Sequence, residues 1–145
     1  MIDRSVEPFV RELFNAAIVG DGARFEKALA AVPDDKAQDA SNLLIAVDRV
    51  AMADLHEGNP SDERLKYLAD EFAATQTWWS VEGMPVEGFL RSLVDPSATP
   101  IELGQSTLLS TLVGGWLLAA FLVDDAHWYE YLDDILNRLD AAQEM

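Results

Sequence analysis

The chain has 145 residues and no cysteine, and its 26 acidic residues against 10 lysines and arginines give a formal net charge of −16. This length predicts one domain, spanning 1–145, with enough core to fold without disulfides. The composition excludes cysteine chemistry and cysteine-bound metals, and the charge disfavours nucleic acid and anionic membranes as partners.

The N-terminal segment MIDRSVEPFVRELF carries charges throughout and lacks the uncharged stretch of a signal peptide. We therefore expect a cytoplasmic protein. Its acidity suits basic proteins or cationic ligands, although it can also serve solubility alone.

Apolar residues recur at helical spacing from end to end, and no segment alternates as a strand does. The first helix is predicted to begin after Ser5 as N-cap and to stop at Gly20 or Gly22. A short second helix follows, with Asp21 as its cap and Pro33 as its end.

The third helix is predicted over 34–57, and its apolar residues surround much of the axis, which is typical of a central helix. A fourth helix is predicted to open with Asn59 as cap and Pro60 in its first turn, and to end near Trp79. A short fifth helix covers 85–94.

Residues 104–123 read GQSTLLSTLVGGWLLAAFLV and contain no charge. A capping box at Thr99 and Glu102 predicts a helix over about 100–123. Its acidic flanks lack the basic residues that orient a membrane span, so we expect a core helix and no membrane. With a last helix capped by Asp124 or Asp125, the sequence predicts an all-α bundle of about seven helices around this central apolar helix.

Small residues recur along this central helix at the spacing that lets another helix approach closely. They are Ser110, Thr111, Gly114, Gly115 and Ala119. The predicted neighbour is another helix of the same chain, and the alternative is the same helix of a second subunit in a homodimer.

Four polar residues of the last helix fall along one broad face: Asp124, His127, Glu130 and Asp134. Such spacing could hold a divalent metal. This face lies opposite the apolar stripe, so we expect a solvated surface and no metal.

Asp48 and Asp54 lie on apolar faces of the third helix, where a carboxylate should be partly buried and needs a partner. We expect an internal ion pair with Arg24, Arg49 or Arg91. The alternative is a pocket in which a carboxylate meets a cationic ligand.

Trp78 and Trp79 are adjacent, so both cannot lie at the centre of one helix face. We expect one to pack inward and the other to be exposed near Met84 as a partner-binding surface. The alternative is that the fifth helix covers both.

The sequence contains no recognised catalytic motif and implies no cofactor, which argues against an enzyme without excluding one. The favoured interpretation is a protein–protein interaction module, one form of which is an inhibitor or immunity-type protein for a basic partner. The alternative is a ligand-binding or sensory bundle with an aromatic and carboxylate pocket. A metal-dependent enzyme is the third hypothesis.

Overall fold

The structure is a computed structural model that describes residues 4–56, 60–75, 78–79, 84–95, 103–122 and 128–143. All regular secondary structure in these ranges is helical, which confirms the predicted all-α class. The α-helices are α1 Glu7–Val19, α2 Gly22–Ala31, α3 Ala37–His56, α4 Asp62–Thr75, α5 Val86–Val94, α6 Leu103–Trp116 and α7 Trp128–Gln143. Short 3-10 turns precede α1 and α3, at Arg4–Val6 and Asp34–Lys36.

The turn between α1 and α2 follows the predicted capping. Gly20 ends α1 in the left-handed conformation, with φ 77°, which glycine adopts without steric cost. Asp21 caps α2 by accepting a hydrogen bond from the main-chain N–H of Arg24 at 3.1 Å. The start of α1 differs from the prediction, because Ser5 lies inside the 3-10 turn and Val6 takes the cap position without a side-chain bond.

Helix α4 is shorter than predicted. Ser61 caps it, since its hydroxyl accepts a hydrogen bond from the main-chain N–H of Arg64 at 3.2 Å. The helix ends at Thr75, before Trp79. The predicted cap Asn59 lies outside the described residues, as do the capping box at 99–102 and the candidate caps at 124–125.

Helices α3 and α6 form the centre of the bundle. Residues 109–118 are all buried, and α3 packs against α6, α1, α5 and α7. Ser41 of α3 meets Ser106 of α6, and seven residues further along α3 Asp48 meets Gly114, so the two helices run parallel. The predicted central apolar helix is therefore confirmed, but α3 shares that position.

The winding of the central helix changes before its end. α6 continues as a π-helical segment over Leu117–Leu122, where the prediction was a regular α-helix to residue 123. None of the helices in the described ranges has both the length and the apolar character that crossing a membrane requires.

Candidate functional site

The most unusual group in the structure is the carboxyl of Asp48. The side chain is 0% exposed at the middle of α3. Neither of its oxygens has a hydrogen-bond partner among the described residues. Buried polar groups in proteins are nearly always hydrogen-bonded, so this carboxyl requires a physical explanation.

Space for this carboxyl is made by a glycine. A Cβ atom on Gly114 would collide with Asp48 Oδ1 and would lie 2.5 Å from Phe14 Cε1. The absence of a side chain at Gly114 thus lets α1, α3 and α6 meet around the acid. Among the residues whose burial is described, the other buried polar ones carry only hydroxyl groups, and they are Ser41, Ser106, Ser110 and Thr111.

Burial raises the pKa of the Asp48 carboxyl well above its usual value of 3.8. The charged form would lose its hydration without gaining a counter-ion, whereas the neutral acid loses much less. The folded protein therefore favours the protonated form of Asp48.

The predicted internal ion pair is wrong for Asp48. The three arginines that the sequence offered as partners bind elsewhere: Arg24 with Glu12, Arg91 with Glu87 and Arg49 with the main-chain carbonyl of Ser92. All three bonds lie at the surface or at its edge, because a long cationic side chain keeps its charged end near water.

Asp54 has a different environment and does form an ion pair. Its two oxygens accept hydrogen bonds from Arg138 at 3.2 and 3.0 Å, and the Tyr131 hydroxyl also donates to it. Partial burial opposes ionisation, but the bonds from Arg138 and Tyr131 outweigh it and lower the pKa of Asp54. The pair joins α3 to α7, and the Asp54 side chain is 33% exposed. Asp54 is therefore partly buried and paired, as expected, but its partner is Arg138 and not Arg24, Arg49 or Arg91.

Two of the four metal-ligand candidates are described, and both are exposed. They are Glu130 and Asp134, and Asp134 accepts a hydrogen bond from Arg138 at 2.7 Å. Asp124 and His127 lie outside the described residues. Within the part of the chain that the structure describes, no three histidine or carboxylate side chains are grouped to hold a metal ion.

The tryptophan pair packs against α2 and the turn that precedes it. Trp78 and Trp79 approach Phe25 edge-on, with ring centroids 5.4 and 4.7 Å apart, and Trp78 lies over Gly20 of the α1–α2 turn. Both rings are half-buried, as is Met84. The expectation that one tryptophan is exposed is therefore wrong, because Phe25 offers an edge to both rings.

The exposed large apolar side chains of the described residues are others, which the sequence analysis did not single out. They are Val19, Tyr67 and Tyr129. Tyr67 lies under the guanidinium of Arg64, 4.8 Å from its ring centroid, and Tyr129 stacks on Trp128. The Arg64 and Tyr67 pair has the three-residue helical spacing that brings side chains together, and that spacing could have indicated the contact.

The small residues of α6 face neighbours within the chain, as predicted. A Cβ on Gly115 would lie 3.1 Å from Ala17 Cβ of α1. Ser110 and Thr111 are 0% exposed and donate hydrogen bonds to the carbonyl of Thr107 in their own helix. Ala119, at the end of the line, is half-buried, and the homodimer alternative stays a prediction.

Comparison with known proteins gives no relative: no family model matches the chain, and no curated protein or solved structure shows significant similarity to it.

Proposed function

We propose that this protein is an acidic, cytoplasmic interaction module that binds a basic surface of another protein. The observation that carries the proposal is a cluster at the α1–α2 turn, which we name the aromatic corner: Val19, Gly20, Phe25, Trp78 and Trp79. Its tryptophans are partly accessible and its valine is 62% exposed.

Two acidic residues adjoin the aromatic corner along the chain. Asp21 caps α2 directly after Gly20, and Glu26 follows Phe25 on α2 and is exposed. Tryptophans together with nearby carboxylates suit a partner that offers arginine or lysine, since these cations bind both aromatic faces and carboxylates.

At least four of the ten lysines and arginines form salt bridges within the chain. Arg11, Arg24, Arg91 and Arg138 each lie within salt-bridge distance of a carboxylate. These arginines offset some of the 26 acidic residues and leave the excess to act on the surroundings. A net charge of −16 on so small a domain should attract a basic partner over long range.

The packing of the aromatic corner also restrains its tryptophan side chains, as suits a binding anchor. Phe25 is 0% exposed and holds both tryptophans edge-on, so their side chains are ordered before a partner arrives. Ordered aromatic anchors lose less conformational entropy on binding than free ones. Inhibition of a basic partner, in the manner of an immunity protein, is one form this function could take.

The test compares a corner variant with an aromatic variant elsewhere. A partner captured from the native cell is measured by surface plasmon resonance against wild type, Trp78→Ala, Glu26→Gln and the control Tyr67→Ala. We expect Trp78→Ala to speed dissociation, at a cost of about 2 kcal/mol. Glu26→Gln should mainly slow association, and Tyr67→Ala should change neither rate.

Salt provides the second criterion. The association rate should fall steeply between about 0.01 and 0.1 M salt, because the screening length shrinks from about 30 to about 10 Å. A partner whose binding ignores both salt and Trp78 would contradict the proposal.

A ligand-binding bundle is the second candidate, and the unpaired carboxyl of Asp48 favours it. A cationic ligand could supply the missing partner if α6 moved aside. Asp48 and Phe14 both border Gly114, whereas Trp78 contacts Gly20 and Phe25, so the described contacts do not bring the acid and the tryptophans into one pocket. Thermal melts with a panel of small amines test this candidate, since a ligand of the folded state raises the melting temperature.

A further inference from the structure

The interface between α3 and α6 carries a line of buried polar groups, which we name the polar seam: Ser41, Asp48, Ser106 and Ser110. The hydroxyls of Ser41 and Ser106 bond each other at 3.2 Å, and Ser110 bonds its own helix. Only Asp48 in the seam lacks a partner among the described residues. Its carboxyl is also the only seam group that can change charge.

The helices around the polar seam bring no charge to Asp48. The described part of α6 and the π-helical segment contain no titratable residue at all. The buried side chains of α1 and α5 are apolar, and so are those of α7. The charged and titratable groups of these elements bond one another or Asp54 near the surface: Glu7, Arg11 and Asp133; Glu12 and Arg24; Glu87 and Arg91; Tyr131, Asp134 and Arg138. Of the remaining ones, Tyr129 and Glu130 are exposed on α7, and Asp140 is half-buried towards the end of that helix. On the 3-10 turn before α3, Asp34 and Asp35 are exposed and Lys36 is half-buried, and Asp39 is half-buried at the start of α3.

Helix α6 packs closely on the side of Asp48 that it covers. Gly114 brings α6 into close contact with the carboxyl and with Phe14, and Gly115 brings it close to Ala17. An ionised carboxylate could remain there only if water or a cation entered. Entry requires α6 to move away from α1 and α3.

The end of α6 offers a place for such movement. Three residues after Gly114 the helix changes to π winding, at Leu117–Leu122. π-helical turns are uncommon and are frequently found at functional positions of helices. Because its hydrogen bonds span five residues instead of four, a shift between α and π winding would turn the side chains of α6 relative to α3.

We propose that Asp48 is a pH-dependent latch on α6: the helix packs against α1 and α3 while the carboxyl holds its proton, and loosens when the proton leaves. This device is independent of the aromatic corner, whose residues do not contribute to the seam. It would make the compactness of the bundle respond to the pH around the protein.

The direction of the effect follows from linkage. Burial raises the pKa of Asp48 in the folded state, while the unfolded chain keeps a value of about 3.9. The stabilisation due to the proton is complete below the unfolded value and is lost as pH rises through the folded value. Between the unfolded and the folded pKa of Asp48, the unfolding equilibrium constant should rise about tenfold per pH unit because of this one group.

Asp48→Asn is the matched test variant, because the amide has the same shape and cannot ionise. Urea unfolding of wild type and variant is compared from about pH 4 to pH 8, together with protection factors for hydrogen exchange of the α6 amides. We expect the ratio of the two unfolding constants to climb with pH, and α6 protection to fall with pH in wild type only. A ratio that stays flat across the range would overturn the proposal.

A carbon-13 measurement on wild type and a control variant complete the test. If Asp48→Asn does not fold, the carbon-13 signal of the Asp48 carboxyl in wild type decides: an ionised signal already at pH 5 overturns the latch, and a protonated one supports it. Asp54→Asn serves as the control of opposite sign, because the pKa of Asp54 is lowered and its contribution is lost on acidification.

Discussion

Replacing Gly114 by alanine should destabilise the protein, although alanine is the better helix former. The added Cβ would collide with Asp48 Oδ1 and would lie 2.5 and 3.0 Å from two ring carbons of Phe14. Both neighbours are 0% exposed, and both are anchored on other helices. Neither can yield by rotating into solvent, so α6 must shift or the core must deform.

The magnitude follows from two opposing terms. Alanine gains about 1 kcal/mol over glycine inside a helix. Overpacking of a close-packed core costs about 1–3 kcal/mol, and the two simultaneous collisions place Gly114 at the upper end. We expect a net loss of about 2 kcal/mol in the free energy of unfolding, and a melting temperature lower by roughly 4–8 °C for a domain of this size.

The same substitution at Gly88 is the matched control. Gly88 is exposed on α5, and a Cβ there would meet only Pro85 Cβ at 3.9 Å, which is an ordinary contact. Gly88→Ala should therefore stabilise the protein by about 1 kcal/mol. Urea denaturation followed by circular dichroism measures both variants under one set of conditions.

A double-mutant cycle identifies the cause of the loss. Asp48→Ala removes the nearer of the two obstacles, so Gly114→Ala should cost less in that background than in wild type. The Phe14 contact remains, so the rescue should be partial. If Gly114→Ala raises stability as Gly88→Ala does, the close approach of α6 to α3 described here is incorrect.

Two other substitutions test separate contacts. Gly115→Leu should cost about 3 kcal/mol by overpacking against Ala17 and Ile18, and an unchanged melting temperature and mass by light scattering would show that the α1–α6 contact is absent. Asp54→Asn should cost at most about 1 kcal/mol at neutral pH, since the ion pair with Arg138 is partly exposed. Because the folded pKa of Asp54 lies below the unfolded value of about 3.9, this difference should shrink as the pH falls below about 4 and be lost once the pH passes below the folded pKa; a difference that stays constant on acidification would contradict it.

The fold was largely predictable because it depends on repeated local signals. The helical spacing of apolar residues predicted the helices, and Gly20 and Asp21 end α1 and cap α2 at the expected positions. Where a predicted helix start was wrong, the sequence offered several neighbouring residues that could each cap the helix. At α4, Ser61 takes the capping role, which a sequence containing several suitable cap residues does not decide.

The candidate site was only half predictable. Periodicity placed Asp48 on an apolar face, and from that face its burial could be inferred. Its lack of a partner could not be inferred, because that depends on where the long side chains of Arg24, Arg49 and Arg91 reach. The prediction for the tryptophan pair failed for a similar reason. Adjacent positions suggested that the two side chains point in different directions, but Phe25 of α2 packs against both rings.

Stability alone does not account for the pair formed by Asp48 and Gly114. A glycine inside a helix gives up about 1 kcal/mol relative to alanine, and a buried polar group without a partner costs about 1–3 kcal/mol more. An apolar side chain on α3 in place of Asp48 would avoid the unpaired polar group, and the other buried polar residues described around it carry only hydroxyl groups. Gly114 makes room for Phe14 as well as for Asp48, so the glycine does not by itself account for the acid. The proposed latch supplies a reason for retaining Asp48, because an ionisable group at the meeting point of three helices would make their packing depend on its charge.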